Sequence, residues 1–176
     1  MVIHLIGPGG AGKTTTGKAL ARAVGWKFID LDEEYSKRRN IDDDIGRDGY
    51  AFYARTNVEV YLRITQGLDQ TVCALSSGFM TYPPDIHPDI PEIHGKLLSS
   101  EATVLLLPAR EIEACVQETV RRQMTRPHVL TSESDEESKI RARIPIYRSM
   151  RVRRVFTDVP VECVIEEVLA AVGLCA

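Results

Sequence analysis

Short apolar runs alternate along this chain with longer stretches in which apolar residues recur at helical spacing. The compact runs predict four strands, at Val2–Ile6, 26–31, 72–75 and Thr103–Leu107, and a fifth near 154–156. Helical spacing predicts helices over Lys13–Val24, 32–39, 50–66 and 161–172. Strands and helices that alternate in this way build a parallel sheet covered by helices on both faces. We therefore predict an α/β fold, with three α/β/α layers around a central, mainly parallel, five-stranded sheet.

Composition sets the size and class of the protein. With 176 residues, 44% apolar and 27% charged, the chain suits one globular domain over 1–176. The formal net charge of -3 gives no general attraction to polyanions, so we expect neither nucleic acid nor a membrane as a partner. No apolar run approaches the roughly 20 residues of a membrane helix, and no basic leader precedes the first strand. The four cysteines lack a C-x-x-C pair, which favours free thiols, and we expect a cytoplasmic monomer.

A glycine-rich motif follows the first strand. The stretch GPGGAGKT at 7–14 fits G-x-x-x-x-G-K-[ST] and leads into a helix, which is the context of a P-loop that binds nucleoside triphosphates. Lys13 would reach the β- and γ-phosphates of ATP, and the Thr14 hydroxyl would bind Mg²⁺. The alternative is a glycine turn with an incidental lysine. The residues predicted to bind the nucleotide are Gly9, Gly10, Ala11, Gly12, Lys13, Thr14 and Thr15.

Other features of the chain indicate which class of P-loop protein it belongs to. It has no Asn-Lys-x-Asp motif for reading guanine and no room for the extra segments of a motor, so a P-loop NTPase fold that transfers phosphate to a small hydroxyl acceptor fits best. Asp30 and Asp32 end the second strand, beside the predicted P-loop, and by strand period they share one face. One acid could support Mg²⁺ while the other orients an acceptor hydroxyl. The alternative is that they cap the next helix.

Arginines supply the third element of the predicted site. Six of them flank a polar, acidic stretch between Arg126 and Lys139 that has no apolar period. We interpret this stretch as mobile; a solvated loop and helix start is the alternative. A lid over about 122–142 would close over the phosphates and exclude water. We single out Arg126, which Pro127 fixes locally, and Arg143, because a guanidinium stabilises a phosphoryl group in transfer. Solvated helix faces explain most of the other arginines.

These motifs together resemble the shikimate kinase family of P-loop kinases over nearly the whole chain. The matching stretches are the P-loop with its helix, G-x-x-F-x-D-x-D at 25–32, Arg126-Pro127 of the lid, and R-x-P-x-Y at 143–147. The resemblance implies that Asp30 lies in the metal shell and that Asp32 and Arg143 bind the acceptor. It also implies that Arg126 reaches the transferring phosphate and that Gly78 lies at the acceptor.

Two stretches depart from that family's pattern. Where the family has G-E-x-x-F-R-x-x-E, this chain reads GYAFYARTN at 49–57, so the acceptor-binding arginine falls on Ala54. Arg55 could replace it only after a register shift, because one residue rotates a helical side chain by about 100°. The family's three glycines are Ser76, Ser77 and Gly78 here, and the two added side chains would crowd the backbone or form new hydrogen bonds.

Three interpretations follow. The first is an ATP- and Mg²⁺-dependent kinase with shikimate as its first acceptor, in which Lys13, Asp32 and Arg126 are catalytic. The second is a kinase of the same architecture that acts on another metabolite, a nucleoside or a nucleotide, which Ala54 and the serines favour. The third is a non-catalytic module that senses ATP or ADP. The intact Lys13, Thr14, Asp30 and Asp32 argue against the third.

Overall fold

A computed structural model describes residues 1–125 and 132–174 of the chain. Five parallel strands form its sheet, in the spatial order β2-β3-β1-β4-β5. They are β1 (Val2–Ile6), β2 (Lys27–Asp30), β3 (Thr71–Ala74), β4 (Thr103–Leu107) and β5 (Arg153–Phe156). The predicted α/β fold and its five strands are confirmed, with strand ends shifted by a residue or two.

Eight helices are described: α1 (Lys13–Val24), α2 (Leu31–Ser36), α3 (Ile41–Asp48), α4 (Tyr50–Ile64), α5 (Ile90–Ser99), α6 (Ile112–Met124), α7 (Glu133–Ser149) and α8 (Val161–Ala171). The sheet separates two buried apolar clusters. One contains apolar residues of α1 and α8, and the other contains residues of α4, α5, α6 and α7. Helices therefore cover both faces, which gives the predicted three layers. No helix within the described residues has the length and apolar character needed to cross a membrane.

The strand order brings distant parts of the chain to one edge of the sheet. β1 lies between β3 and β4, and β2 pairs with β3 in a register that places Asp30 opposite Ala74. All five strands point the same way, so the loops after β1, β2 and β3 emerge together. The glycine-rich motif and the serines follow β1 and β3, and the two aspartates lie at the junction of β2 and α2. This edge is where ligands of open α/β sheets bind.

Part of the polar stretch 126–139 is helical although it has no apolar period, which agrees with the alternative of a helix start. Residues 126–131, with Arg126 and Pro127, lie outside the described residues, but 133–139 form the first turns of α7 and not an irregular segment. Ser132 caps this helix by accepting from the Asp135 amide, and Arg141 bonds Glu137 on the same helix and Glu113 on α6. Capping and ion pairs, which an apolar period does not reveal, account for this helix.

A buried carboxylate joins α2 to α3. Asp44 is 4% exposed and accepts hydrogen bonds from the Tyr35 hydroxyl and from the guanidinium of Arg39, with Arg47 also in contact. We call these four residues the Asp44 cluster. The hydrogen bonds from Arg39 and Tyr35 lower the pKa of Asp44 to about 2. The cluster fixes the segment that leads into α4, which borders the candidate site.

Candidate active site

The glycine-rich motif forms an open turn between β1 and α1. Gly10 and Gly12 have φ angles of 75° and 84°, a left-handed conformation that glycine adopts without strain. Gly12 occupies the N-cap of α1 and, among the described residues, no side chain caps the helix there. The positive end of the helix dipole and the curled backbone therefore face outward together, as an anion site requires. This geometry suits phosphate groups.

Lys13 opens α1 and folds back over the turn. Its ammonium donates hydrogen bonds of 2.8 Å to the carbonyl oxygens of Gly7 and Pro8. The side chain is partly buried and lies close enough to Asp32 for its charge to lower the pKa of that acid. The predicted phosphate-binding lysine and the predicted acceptor acid therefore belong to one site.

Asp30 contacts the motif directly. The Thr14 hydroxyl donates to Asp30 Oδ2 over 2.6 Å, while Oδ1 accepts from the backbone amides of Asp32 and Glu33 at 3.0 and 3.3 Å. Asp30 is thus the N-cap of α2, as the capping alternative predicted, and also the neighbour of Thr14. The expectation that Asp30 and Asp32 share a strand face is wrong, because α2 begins at Leu31 and Asp32 stands in its first turn.

The pair formed by Thr14 and Asp30 suits Mg²⁺. A hydroxyl and a carboxylate are hard oxygen ligands, and Mg²⁺ in nucleotide sites takes one or two protein ligands together with phosphates and waters. Asp30 is 8% exposed, so little water competes for its oxygens. Within residues 1–125 and 132–174, His, Cys, Asp and Glu side chains form no group of three or more that could hold a metal alone. The donor set fits an ion that the nucleotide helps to bind.

Asp32 is held by two hydroxyl groups. Its Oδ1 accepts from Ser76 Oγ at 2.5 Å and from the Tyr53 hydroxyl at 3.0 Å. Burial raises the pKa of Asp32, and the two hydrogen bonds and the Lys13 charge act against this rise. The expected new hydrogen bond from the serines is confirmed for Ser76. Sequence reasoning missed Tyr53 as a site residue, although a hydroxyl-bearing residue at a departure from the family pattern was the available signal.

Tyr50 and Arg143 lie next to Gly78, on the side of the site that is predicted to bind the acceptor. Arg143 donates to the Tyr50 hydroxyl at 2.8 Å, and its guanidinium lies 5.6 Å from the centre of the Tyr50 ring. A side chain at Gly78 would meet both, since an ideal Cβ there lies 2.1 Å from the Tyr50 hydroxyl and 3.3 Å from Arg143 Nη2. Arg143 and Gly78 are therefore brought together, as predicted, and Tyr50 covers the space between them.

The arginine missing from α4 is not replaced from the same helix. Ala54 is fully buried, and the guanidinium of Arg55 donates to the carbonyl oxygen of Ile86 at 3.1 Å. The register shift that would aim Arg55 at the acceptor is absent from the described part of α4, where Tyr53 and Ala54 are buried and Arg55 is exposed. Arg126 lies outside the described residues.

Arg122 of α6 forms a hydrogen bond with the glycine-rich turn. Arg122 donates to the Gly10 carbonyl at 3.3 Å and to Thr157 Oγ1 at 2.9 Å, so it joins this turn to the loop after β5. A cavity of about 350 Å³ lies beside these contacts and is lined by Gly10, Gly12, Thr15, Thr16, Arg122, Thr157, Val159, Val161 and Val164. Sequence reasoning had treated Arg122 only as one of the arginines near a lid. The cavity adjoins the phosphate turn and has the size of a small ligand group.

Comparison with known proteins gives consistent matches. The shikimate kinase family model matches residues 9–172. The shikimate kinase of Methylococcus capsulatus is 32% identical over 159 residues, which cover 84% of this chain and 78% of that protein. The crystal structure of shikimate kinase from Bacteroides thetaiotaomicron has a TM-score of 0.75 at 20% identity over 99% of both chains. That of Acinetobacter baumannii shikimate kinase in complex with shikimate has a TM-score of 0.67 at 24% identity over 96% of this chain and 93% of that one.

Proposed function

This chain belongs to the shikimate kinase family, and we propose that it transfers the γ-phosphate of ATP to a hydroxyl of shikimate. As a member of that family it is an ATP-dependent phosphotransferase that acts on a hydroxyl group. The observation that carries the choice of site is the contact of 2.6 Å between the Thr14 hydroxyl and Asp30 Oδ2. This contact joins the start of α1, next to the glycine-rich turn, to the acid that ends β2, which supports a donor and an acceptor bound at one edge of the sheet.

The phosphate side is formed by the backbone of the turn and by Lys13. The amide groups at the start of α1 and the helix dipole favour the phosphates, and the Lys13 ammonium would exchange its backbone carbonyl partners for phosphate oxygens. Thr14 and Asp30 would hold Mg²⁺, and the ion would help to neutralise the negative charge of the phosphates. The nucleoside would extend into the cavity beside Thr15 and Arg122.

The acceptor side is formed by Asp32 and Arg143. The Asp32 carboxylate would accept the proton of the attacking hydroxyl and align that oxygen with the γ-phosphate. The Arg143 guanidinium would bind the carboxylate of shikimate, and Gly78 would leave room for the ring, because a side chain there would clash with Tyr50. Arg126 and the segment 122–142 would close over the transferring phosphate, which excludes water as a competing acceptor.

The surroundings of the proposed acceptor site also favour a second candidate acceptor for a kinase of this fold. Ala54 is fully buried at the family's arginine position, Arg55 bonds Ile86, and the Arg143 guanidinium is engaged by Tyr50. Within the described residues, a carboxylate would therefore find one guanidinium where the family pattern has two. A hydroxylated metabolite without a carboxylate is the second candidate acceptor.

The test is the release of ADP from MgATP in a coupled assay, with and without shikimate. Stimulation by shikimate supports the first acceptor. Stimulation only by neutral polyols, nucleosides or nucleotides identifies the second class. Lys13→Ala should lower turnover by about 100-fold or more, because it removes the charge at the transferring phosphate. Lys18→Ala is the matched control, since Lys18 lies on the same helix, is exposed and pairs with Glu33. Equal activity of Lys13→Ala and the wild type would refute the proposal that the phosphate binds at this site.

A further inference from the structure

Two hydroxyl groups meet one oxygen of Asp32. Ser76 Oγ lies 2.5 Å and the Tyr53 hydroxyl 3.0 Å from Asp32 Oδ1. The donors come from separate parts of the fold, since Ser76 follows β3 and Tyr53 lies in α4, and the side chains are buried, with Ser76 2% and Tyr53 6% exposed. We call Ser76 and Tyr53 the Asp32 hydroxyl pair. Their convergence on one atom is a specific arrangement and not a general feature of a polar surface.

Both members of the pair replace residues that have no hydroxyl in the family pattern. Ser76 stands at the first of three glycines, and Tyr53 stands at the phenylalanine of G-E-x-x-F-R-x-x-E. Neither glycine nor phenylalanine has a side-chain donor for a carboxylate. At these two positions, 23 residues apart in the sequence, the chain therefore differs from the family pattern by groups that bond the same oxygen.

We propose that Ser76 and Tyr53 are positioning residues that fix Asp32, so that Oδ2 is the oxygen that receives the acceptor hydroxyl. This inference rests on the proposed function, in which Asp32 accepts the proton of that hydroxyl. A carboxylate oxygen has two acceptor sites, and the pair fills both sites of Oδ1. Within the described residues no donor is bonded to Oδ2.

The two bonds restrict the rotation of the carboxylate. A half turn of the group only exchanges two equivalent oxygens, but any other rotation would break both bonds at once, in a buried place where lost hydrogen bonds are not replaced by water. The same side chain lies near Lys13, so a fixed Oδ2 keeps a constant relation to the phosphate side of the site. Transfer depends steeply on alignment, and a misplacement of about 1 Å costs on the order of 100-fold in rate.

The experiment compares Ser76→Ala and Tyr53→Phe with matched controls that remove a hydroxyl elsewhere. Ser77→Ala removes the hydroxyl of the neighbouring serine and keeps its carbonyl oxygen, which accepts a hydrogen bond from the Tyr147 hydroxyl. Tyr61→Phe removes a buried tyrosine hydroxyl on α4 that faces His4. Steady-state kinetics are measured with MgATP and with the acceptor that stimulates the wild type. We expect kcat to fall by about 10- to 100-fold in both variants of the pair. In these two variants the KM for ATP should stay within about twofold of the wild-type value. In the two controls both kcat and the KM for ATP should stay within that range.

A purely structural role makes a different prediction. If the hydroxyls only satisfied a buried acid, the variants would lose thermal stability and ATP binding together, with kcat per ATP-binding site unchanged. That result, or wild-type kcat in both variants, would overturn the proposal.

A second measurement does not depend on the acceptor. The carboxyl ¹³C signal of Asp32, identified by its loss in Asp32→Asn, should shift in Ser76→Ala and in Tyr53→Phe but not in the controls. An unchanged signal in both variants would overturn the proposal even in an active enzyme. If instead the signal shifts but no acceptor stimulates the wild type, the proposed function fails while the hydrogen-bond arrangement stands, and the role in phosphoryl transfer is rejected.

Discussion

Replacing Tyr50 by phenylalanine isolates one atom at the acceptor side of the site. The Tyr50 hydroxyl accepts a hydrogen bond of 2.8 Å from Arg143, the guanidinium that we propose binds the acceptor's carboxylate. Phenylalanine keeps the ring, which lies 5.6 Å from the same guanidinium, so the stacking that holds Arg143 in place persists. The substitution therefore releases a donor without removing the support of the arginine.

The size of the effect follows from the bond that is lost. In the wild type an acceptor carboxylate that binds Arg143 Nη2 must displace the Tyr50 hydroxyl from it, and a hydrogen bond with a charged group has a net value of about 1.5 to 3 kcal/mol. Tyr50 is 40% exposed, which places the value at or below the lower end of this range, because water replaces part of the bond. A difference of 1.4 kcal/mol is tenfold in affinity, so we expect the KM for the acceptor to fall by about 2- to 10-fold.

Steady-state kinetics at saturating MgATP measure this change. We expect kcat to stay constant, Arg143→Ala to raise the KM for the acceptor, and Tyr50→Phe to have no effect when Arg143 is already alanine. A higher KM in Tyr50→Phe would mean that the hydroxyl itself binds the acceptor. An unchanged KM would mean that the acceptor does not compete with the Tyr50 hydroxyl for Arg143. Either result would refute the reasoning.

Three further predictions concern the metal, pH and packing. Asp30→Asn should keep the helix cap, since asparagine caps as well as aspartate, but should raise the Mg²⁺ concentration for half-maximal activity by about tenfold or more in a metal titration. The lowered pKa of Asp44, about 2, means that its stabilising contribution is complete above about pH 4 and is lost as pH falls toward 2; urea unfolding should show this loss, and Asp44→Asn should flatten it. Gly17→Ala should destabilise the fold by about 1 to 3 kcal/mol in thermal or urea unfolding, because its Cβ would lie 2.4 Å from the Phe28 ring. Gly46→Ala, with no atom within 4 Å, is the control and should be neutral or stabilising.

The local signals in the sequence predicted the strand, the glycine-rich turn and the helix well. The glycine-rich turn, Lys13 and Thr14 lie within eight consecutive residues, and a buried strand and a helix flank them. Such a motif specifies its own backbone geometry, so its place in the fold follows from its neighbours along the chain. The five strands were predictable for the same reason, because their apolar runs are compact and bounded.

The acceptor side depends on contacts between distant residues. Tyr53 and Asp32 are separated by 21 positions, and Ser76 and Asp32 by 44, so no local period brings them together. The strand order places the loops after β2 and β3 side by side, and only this pairing reveals the bond to Ser76. Sequence reasoning placed Asp32 on a strand because it could not locate the residue at which β2 gives way to α2.

The early part of α7 shows a second limit. Its stability comes from the Ser132 cap and from the ion pair of Arg141 with Glu113 on a neighbouring helix. A reading based on apolar spacing treats such a stretch as irregular, because charged residues occupy most of its positions. The predicted lid over 122–142 stays a prediction, and its described parts belong to α6 and α7.

The two oxygens of Asp30 have different roles: one caps a helix, and we propose that the other binds the metal ion. Oδ1 starts a helix by accepting from two amides, and Oδ2 rests on the Thr14 hydroxyl. The conformational entropy lost in fixing this side chain therefore belongs to the folding of the chain and not to the arrival of the nucleotide. If Mg²⁺ binds at Oδ2, as we propose, it would meet a ligand already in position and would leave the start of α2 intact. Because folding has already fixed this side chain, binding would not have to order it, and this would favour a higher affinity for the ion.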